Sequence, residues 1–254
     1  MLTGKVALVT GAGRGIGKGC VLELARLGAD VAINDRSHTG DAETAATEVR
    51  ALGRRALIVY GDIAERAECE AAVERTVAEF GRIDVLVANA AKTVRKPFLE
   101  LEEEDFRTTL NTTLLGAFHC AQFAARHMVR QGEGGSIIFM SSVHAVIPVR
   151  TSVPYNAAKA GLNHMARTIA AELAPHQIRV NVIEPGWTDT PGERAFLSDE
   201  QIQQGAKRLP FGRLATIEDI AQGAGYLASP ASRYVTGTTL RIDGGLALLG
   251  QGQP

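Results

Sequence analysis

The sequence predicts an α/β fold in which a doubly wound parallel sheet of about seven strands carries helices on both faces. Short runs rich in Val and Ile alternate with longer amphipathic stretches along the whole chain. Most of the short runs are apolar at consecutive positions, the pattern of strands covered on both faces. Strand–helix alternation of this kind builds a parallel sheet, because parallel neighbours need a crossover connection.

The first strand is expected at 6–10, followed by a Gly-rich turn and a helix over 16–27. Strands at 31–34 and 56–60 then alternate with helices over 41–52 and 66–80. A fourth strand at 85–88 leads into a long helix over 105–130, and a fifth at 136–140 into a helix over 155–173. The sixth strand, 179–183, is followed late by a helix over 216–228 and a seventh strand at 238–242. Gly28, Gly53 and Gly81 each close a helical pattern before the next strand, which suits C-terminal caps. Only 187–212 breaks the rhythm, with Pro191, Gly192, Gly205, Pro210 and Gly212 between a strand and a helix. A connection that long is more often functional than idle, and it reads as a substrate lid. No repeat, low-complexity tract or linker divides the chain, so one domain over 1–254 is expected.

Composition narrows the function classes. Apolar residues make up 45% and charged residues 22%, ordinary for a soluble enzyme. With 27 basic against 28 acidic residues, the net charge of -1 offers no broad attraction to nucleic acid or an anionic membrane. The six histidines form no HxxxH pair and the cysteines no CxxC, so no metal is expected. Cys20, Cys69 and Cys120 fall in helical patterns and read as small buried hydrophobes in a reducing compartment. The first strand begins almost at once, leaving no room for a signal peptide, and no run of about 18 apolar residues spans a membrane. A cytoplasmic location is the expectation.

Thr10-Gly11-Ala12-Gly13-Arg14-Gly15-Ile16-Gly17 joins the first strand to the first helix. Glycine suits a tight turn whose backbone approaches a pyrophosphate, and the helix N-terminus supplies unpaired N–H donors and a positive dipole. A glycine run alone is weak evidence; between a strand and a helix it points to a dinucleotide. Asp35 lies 18 residues after Gly17, where a carboxylate either accepts hydrogen bonds from the adenosine ribose or serves as a cap. That carboxylate favours NAD; Arg14 and Arg36 suit a 2′-phosphate and keep NADP open. Asp62, beside Ile63, either meets the adenine amino group or makes an ordinary turn, and Asn89-Ala90-Ala91 offers small residues at a strand end near a cofactor.

Ser141-Ser142 closes the fifth strand, and Tyr155 and Lys159, four apart, share one helical face. A free tyrosine, with pKa about 10, is a poor base at neutral pH; a nearby ammonium or an oxidised nicotinamide lowers that value. Ser142 is placed to hold a substrate oxygen. Taken alone, a Tyr-x-x-x-Lys pair is common on helix surfaces.

Together, the Thr10–Gly17 turn, Asp62, Asn89-Ala90-Ala91, Asn111, Ser142, Tyr155, Lys159, Pro185-Gly186 and Thr190 resemble the short-chain dehydrogenase/reductase family over essentially the whole chain. The thirteen-residue step from Ser142 to Tyr155 selects Ser142 over Ser141. The resemblance implies a Rossmann-type fold and an NAD(P)-dependent oxidoreductase acting on a CH–OH group. It implies Tyr155 as general acid/base and Lys159 on the nicotinamide ribose. Asn111 is implied to hold a relay water beside Lys159, and Pro185, Gly186, Thr188 and Thr190 to meet the carboxamide or phosphates. Gly11, Arg14, Gly15, Ile16, Gly17, Asp35, Asp62, Ile63, Asn89 and Ala90 are the expected remaining cofactor contacts. A homotetramer is implied, with the 105–130 and 155–173 helices as one seam and 240–254 as a second; burial within the monomer is the other reading of those helices.

The substrate is less legible. His144 reads as a substrate contact or a packing residue, and Glu184 as a ligand for sugar hydroxyls or a partner for a neighbouring Arg or Lys. The stretch from Val180 to Arg194 is similar to glucose 1-dehydrogenases, and the general frame to 3-oxoacyl-carrier-protein reductases. An acidic carrier would need a basic patch at the cleft; Arg95, Lys96, Arg126 and Arg130 are candidates, with Glu100 and Glu102 to Glu104 close in sequence. A small sugar or polyol alcohol is therefore expected as the partner. A non-catalytic NAD(H) sensor is the remaining reading, and it would have no need of Asn111, Ser142, Tyr155 and Lys159 together.

Overall fold

The computed structural model describes residues 1–195 and 197–249. The strands are β1 (Val6–Val9), β2 (Asp30–Asp35), β3 (Ala56–Tyr60), β4 (Val85–Ala88), β5 (Gly135–Met140), β6 (Ile178–Pro185) and β7 (Thr239–Ile242). The helices are α1 (Gly15–Arg26), α2 (Asp41–Ala51), α3 (Arg66–Phe80), α4 (Glu103–Leu110), α5 (Ala117–Gln131), α6 (Val153–Leu173), α7 (Pro191–Arg194), α8 (Asp199–Ala206) and α9 (Ile217–Ala228). All seven strands pair in parallel, in the order β3-β2-β1-β4-β5-β6-β7.

The consecutive apolar runs have the expected cause. Every residue of β1 and β4 is buried, and each face of the sheet carries its own core. Leu8, Ile137, Phe139 and Val180 join α3, α5 and α6 on one face. Val9, Ile33, Val87 and Ile183 join α1, α2 and α9 on the other. Each such side chain contributes about 1.5–3 kcal/mol through burial. Cys20, Cys69 and Cys120 are buried free thiols in these cores, as their positions implied. Chain progression reverses between β1 and β4, which opens a crevice at the C-terminal strand ends.

Two expectations are revised and one segment gains detail. The helix read as continuous over 105–130 is interrupted by a π-helical turn, Asn111–Gly116, between α4 and α5. At the end of this turn Gly116 packs so closely on Ile63 that an added Cβ would lie 2.4 Å from its carbonyl oxygen. The 187–212 connection, for which the sequence named no element, carries α7 and α8, with Phe196 outside the described residues. β6 runs to Pro185, so Glu184 belongs to the strand; it is fully buried between Asn163 Nδ2 (2.5 Å) and Arg241 Nε (2.8 Å). The reading of Glu184 as a ligand for sugar hydroxyls is thereby corrected, because its carboxylate is consumed by those two partners. Residues 250–254 of the expected C-terminal seam also lie outside the described residues.

The end of the sheet remote from the crevice is fastened by a charge cluster. Asp84 accepts from Arg82 Nε (2.7 Å), Lys5 Nζ (2.9 Å) and the Val6 N–H (2.9 Å). Burial alone would raise the Asp84 carboxyl, but these donors hold it below its usual value. A lowered folded-state pKa means the contribution is present above the unfolded pKa of about 3.9 and is lost as acid protonates the group. Asp84→Asn is expected to cost about 2 kcal/mol in urea unfolding at pH 7. The difference from the parent should shrink below about pH 4, and an equal loss at pH 3 and pH 7 would reject the assignment.

Candidate active site

At the switch point the ends of β1 and β4 are tied together. Thr10 Oγ1 accepts from the N–H groups of Asn89 (3.0 Å) and Ala90 (3.1 Å). Asn89 Nδ2 returns hydrogen bonds to the carbonyls of Thr10 (2.9 Å) and Gly11 (3.1 Å). Gly11 has φ +61°, and a Cβ there would fall 2.9 Å from Ala90 Cα. A Cβ on Gly17 would lie 2.3 Å from the Gly11 carbonyl. Neither position admits a side chain, so the turn passes close over α1. The N-cap of α1, Arg14, makes no side-chain capping bond, and no acidic residue occupies the first turn. The opening N–H groups of α1 are thus left to an anion, and this cradle fits a dinucleotide pyrophosphate.

A cavity of about 360 Å³ follows from this turn along the ends of β2 and β3, lined by Gly11, Arg14, Asp35, Asp62, Ile63 and Ala90 among others. The Asp35 carboxylate is fixed there by Gly13 N–H (3.0 Å) and by Ser37 through N–H and Oγ (2.9 Å each). Asp62 accepts from Ala64 N–H (3.0 Å) and faces the Arg36 guanidinium at 3.6 Å. Gly15 and Ile16 also line the cleft, whereas Gly17 acts from beneath by its lack of a side chain.

A second cavity, about 590 Å³, adjoins the first through shared residues such as Asn89 and Thr190. It gathers Ser142, Tyr155, Lys159, Pro185, Gly186 and Thr188. Tyr155 sits in the first turn of α6, whose early Pro154 fixes the helix start. Thr190 caps α7, accepting from Glu193 N–H (3.2 Å), and Thr188 Oγ1 donates to the Gly186 carbonyl (3.0 Å). Ser142 Oγ accepts from His144 N–H at 3.2 Å. Burial pushes the Tyr155 phenol up to about 12, against the lowering hydrogen bond from Ser142. Lys159 is 2% exposed, and burial lowers its ammonium to about 7. Its Nζ donates to the Met140 carbonyl at 2.6 Å and stands 5.3 Å from the Tyr155 ring centre. The phenol therefore keeps its proton at neutral pH unless positive charge arrives, and the lysine is poised to give or take one.

The Asn111 side chain does not join this group, which corrects the expectation that it holds a relay water beside Lys159. It is exposed, and it lines neither cavity. Inside the π turn, Thr112 lines the smaller cavity, and Thr113 acts on the site through Lys92. Thr113 is fully buried, its Oγ1 accepting from Lys92 N–H (3.1 Å) and donating to the Lys92 carbonyl (3.0 Å). Lys92 lines both cavities, so Thr113 sets the backbone where they meet. Sequence reasoning passed over it because a threonine within a helical pattern carries no signal until the turn is seen. Arg95 also faces this cavity and pairs with Glu193 of α7 at 3.6 Å.

A doubly wound sheet with a glycine cradle and a Ser-Tyr-Lys cluster at its switch point defines a nicotinamide-type oxidoreductase architecture. The chain belongs to the short-chain dehydrogenase/reductase family: a family model described as enoyl-(acyl carrier protein) reductase matches residues 11–247. It is 38% identical over 247 residues to an L-rhamnose 1-dehydrogenase (NAD(P)(+)) of Sphingomonas sp. (strain SKA58), covering 97% of each chain. It is 39% identical over 246 residues to the 2-dehydro-3-deoxy-D-gluconate 5-dehydrogenase of Escherichia coli (strain K12), covering 96% of each. The crystal structure of acetoin dehydrogenase from Enterobacter cloacae superposes with a TM-score of 0.91 at 36% identity over 100% of both chains.

Thr113→Val would remove both hydrogen bonds to the Lys92 backbone, at a cost of about 1–3 kcal/mol. Thr113→Ser should recover most of that loss in thermal denaturation. Equal stability of the Val and Ser variants would show that the hydroxyl is not what holds Lys92.

Proposed function

We propose that the protein transfers a hydride between NAD(P) and a secondary alcohol or carbonyl carbon, with a sugar or polyol as substrate. The observation that carries this reading is the convergence of Ser142, Tyr155 and Lys159 in a cavity continuous with the Gly11–Gly17 cradle. In it, Tyr155 is the proton carrier: a phenol held protonated by burial donates as a carbonyl is reduced. Ser142 holds the reacting oxygen. Lys159 engages the nicotinamide ribose, and its charge favours the phenolate in the oxidative direction. The cofactor, when bound, supplies the hydride acceptor and a positively charged ring.

Residues of the α1 cradle would take the pyrophosphate, Asp35 the adenosine ribose, Asp62 and Ile63 the adenine, and Asn89, Ala90, Pro185, Gly186, Thr188 and Thr190 the nicotinamide half. The Asp35 carboxylate favours NAD by repelling a 2′-phosphate, while Arg14 and Arg36 in the same cavity keep NADP as a second substrate. The relatives named as NAD(P)(+) enzymes agree with that breadth. The 187–212 segment would serve as the lid, with Glu193 reaching Arg95 across the substrate cavity. The carrier-protein reading is disfavoured, because two of the basic residues it would use are matched: Arg95 by Glu193, and Lys96 by Asp105 at 2.5 Å.

One assay tests the reading: reduction of NAD and NADP against a panel of sugars, polyols and secondary alcohols. Tyr155→Phe should lower kcat by about 10²–10⁴-fold, and Asp35→Ala should shift preference toward NADP. Turnover unchanged by loss of the phenol would sink the mechanism, and an unchanged NAD/NADP ratio would remove Asp35 from the ribose site. For assembly, a cytoplasmic homotetramer is proposed through the α4–α5/α6 seam and the β7 edge. Elution from a sizing column as a monomer at micromolar concentration would exclude it. Among the described residues, no helix is long and apolar enough to cross a membrane, and no group of His, Cys, Asp or Glu could hold a metal.

A further inference from the structure

Beside Tyr155 lies Asn156, whose amide orientation is fixed from outside the cavity. Its Nδ2 donates to the Val149 carbonyl at 3.1 Å. That turns Oδ1 toward His144, whose Nδ1 stands 3.1 Å away. An amide oxygen only accepts, so the ring proton of a neutral His144 must sit on Nδ1, and Nε2 is left as the acceptor. Among the described residues no protein group hydrogen-bonds Nε2. The ring meets Tyr155 edge-on, with centroids 5.3 Å apart and planes at 87°. It lines the same cavity as Ser142, two residues before it in the chain.

The charged and titratable groups facing the ring are Arg95 from the loop after β4, Glu193 from α7, and Tyr155 and Lys159 from α6. Burial is the largest influence and keeps the imidazole below its ordinary value of 6.5; Arg95 and Lys159 act in the same sense, Asn156 and Glu193 in the opposite one. At neutral pH the ring thus offers a lone pair beside the position at which Ser142 and Tyr155 would hold the reacting oxygen.

We propose that His144 Nε2 accepts a hydrogen bond from a substrate hydroxyl on the carbon next to the reacting one, with Asn156 as the positioning residue that fixes the ring tautomer. The favoured substrates are then vicinal diols and α-hydroxy carbonyl compounds, the unit that sugars and polyols repeat. Isolated secondary alcohols lack the donor. This rests on the proposed dehydrogenase reading and specifies its substrate class.

The test compares butane-2,3-diol with butan-2-ol, and a sugar with its deoxy analogue at the neighbouring carbon, in the full-length protein with NAD. The parent should favour each vicinal substrate by about tenfold or more in kcat/KM. His144→Phe keeps a ring but no acceptor; it should abolish that preference while butan-2-ol turnover and NAD affinity change less than about twofold. The butan-2-ol rate also reports that the variant is folded. His144→Gln, which restores an acceptor oxygen, should regain part of the preference. Asn156→Asp favours the protonated ring and should move the onset of diol preference to higher pH, leaving butan-2-ol unaffected. In the parent, KM for the diol alone should rise as pH falls through the lowered histidine pKa, a dependence absent from His144→Phe. Retention of the diol preference in His144→Phe overturns the proposal, as does a parent that shows no preference. Turnover of neither class by the parent, or activity unchanged in Tyr155→Phe, is instead the failure of the dehydrogenase reading.

Discussion

Everything the cleft offers depends on how the ends of β1 and β4 are joined. These strands are neighbours in the sheet but distant in sequence, and beyond them the connections diverge to opposite sides. A gap of that kind would expose unpaired backbone groups. Thr10 and Asn89 close it with four hydrogen bonds, each side chain satisfying backbone of the other strand. With the two strand ends locked, Gly11 can pass against Ala90 and Gly17 beneath Gly11, and α1 begins at one fixed height. Cofactor cradle and substrate cavity inherit their relative position from this knot.

On the other side of the crevice the governing quantity is dryness. Burial displaces both Tyr155 and Lys159, raising the one and lowering the other, so that each is driven toward its neutral form. Neither group carries a full charge that the cavity must solvate before ligand arrives. The single charge-assisted contact that anchors the lysine is to the Met140 carbonyl at the end of β5, the strand that also delivers Ser142. Fold and proton chemistry therefore meet at one strand terminus.

Strand positions were legible because burial on both sheet faces demands unbroken apolar runs, as at 85–88. Ser142, Tyr155 and Lys159 were legible as an ordered set, not as single residues. Glu184 was left between two readings because nearness in sequence to Pro185-Gly186 suggested the cavity mouth; the strand's alternation decides for the pairing with an arginine, turning its side chain toward Asn163 and Arg241. The orientation of Asn156 had no sequence signature at all, since it depends on a carbonyl seven residues earlier. The capping box of α8, Ser198 with Gln201, was present in the sequence but hidden by the glycines and prolines around it.

The π turn at 111–116 has a bearing on length variation. Each residue added to an α-helix rotates the remainder of the helix by about 100°, and a π turn accommodates one such residue without lengthening the helix by a full turn. The buried stripe of α5, including Cys120, Ala121, Ala124 and Met128, keeps its phase with the sheet because the turn absorbs that extra residue upstream. A single deletion between α4 and α5 would close the π turn to regular α-helix, leaving this stripe on the core but withdrawing Thr113 from Lys92. In this segment, a change in residue count is felt at Thr113 and Lys92 and not in the packing of α5.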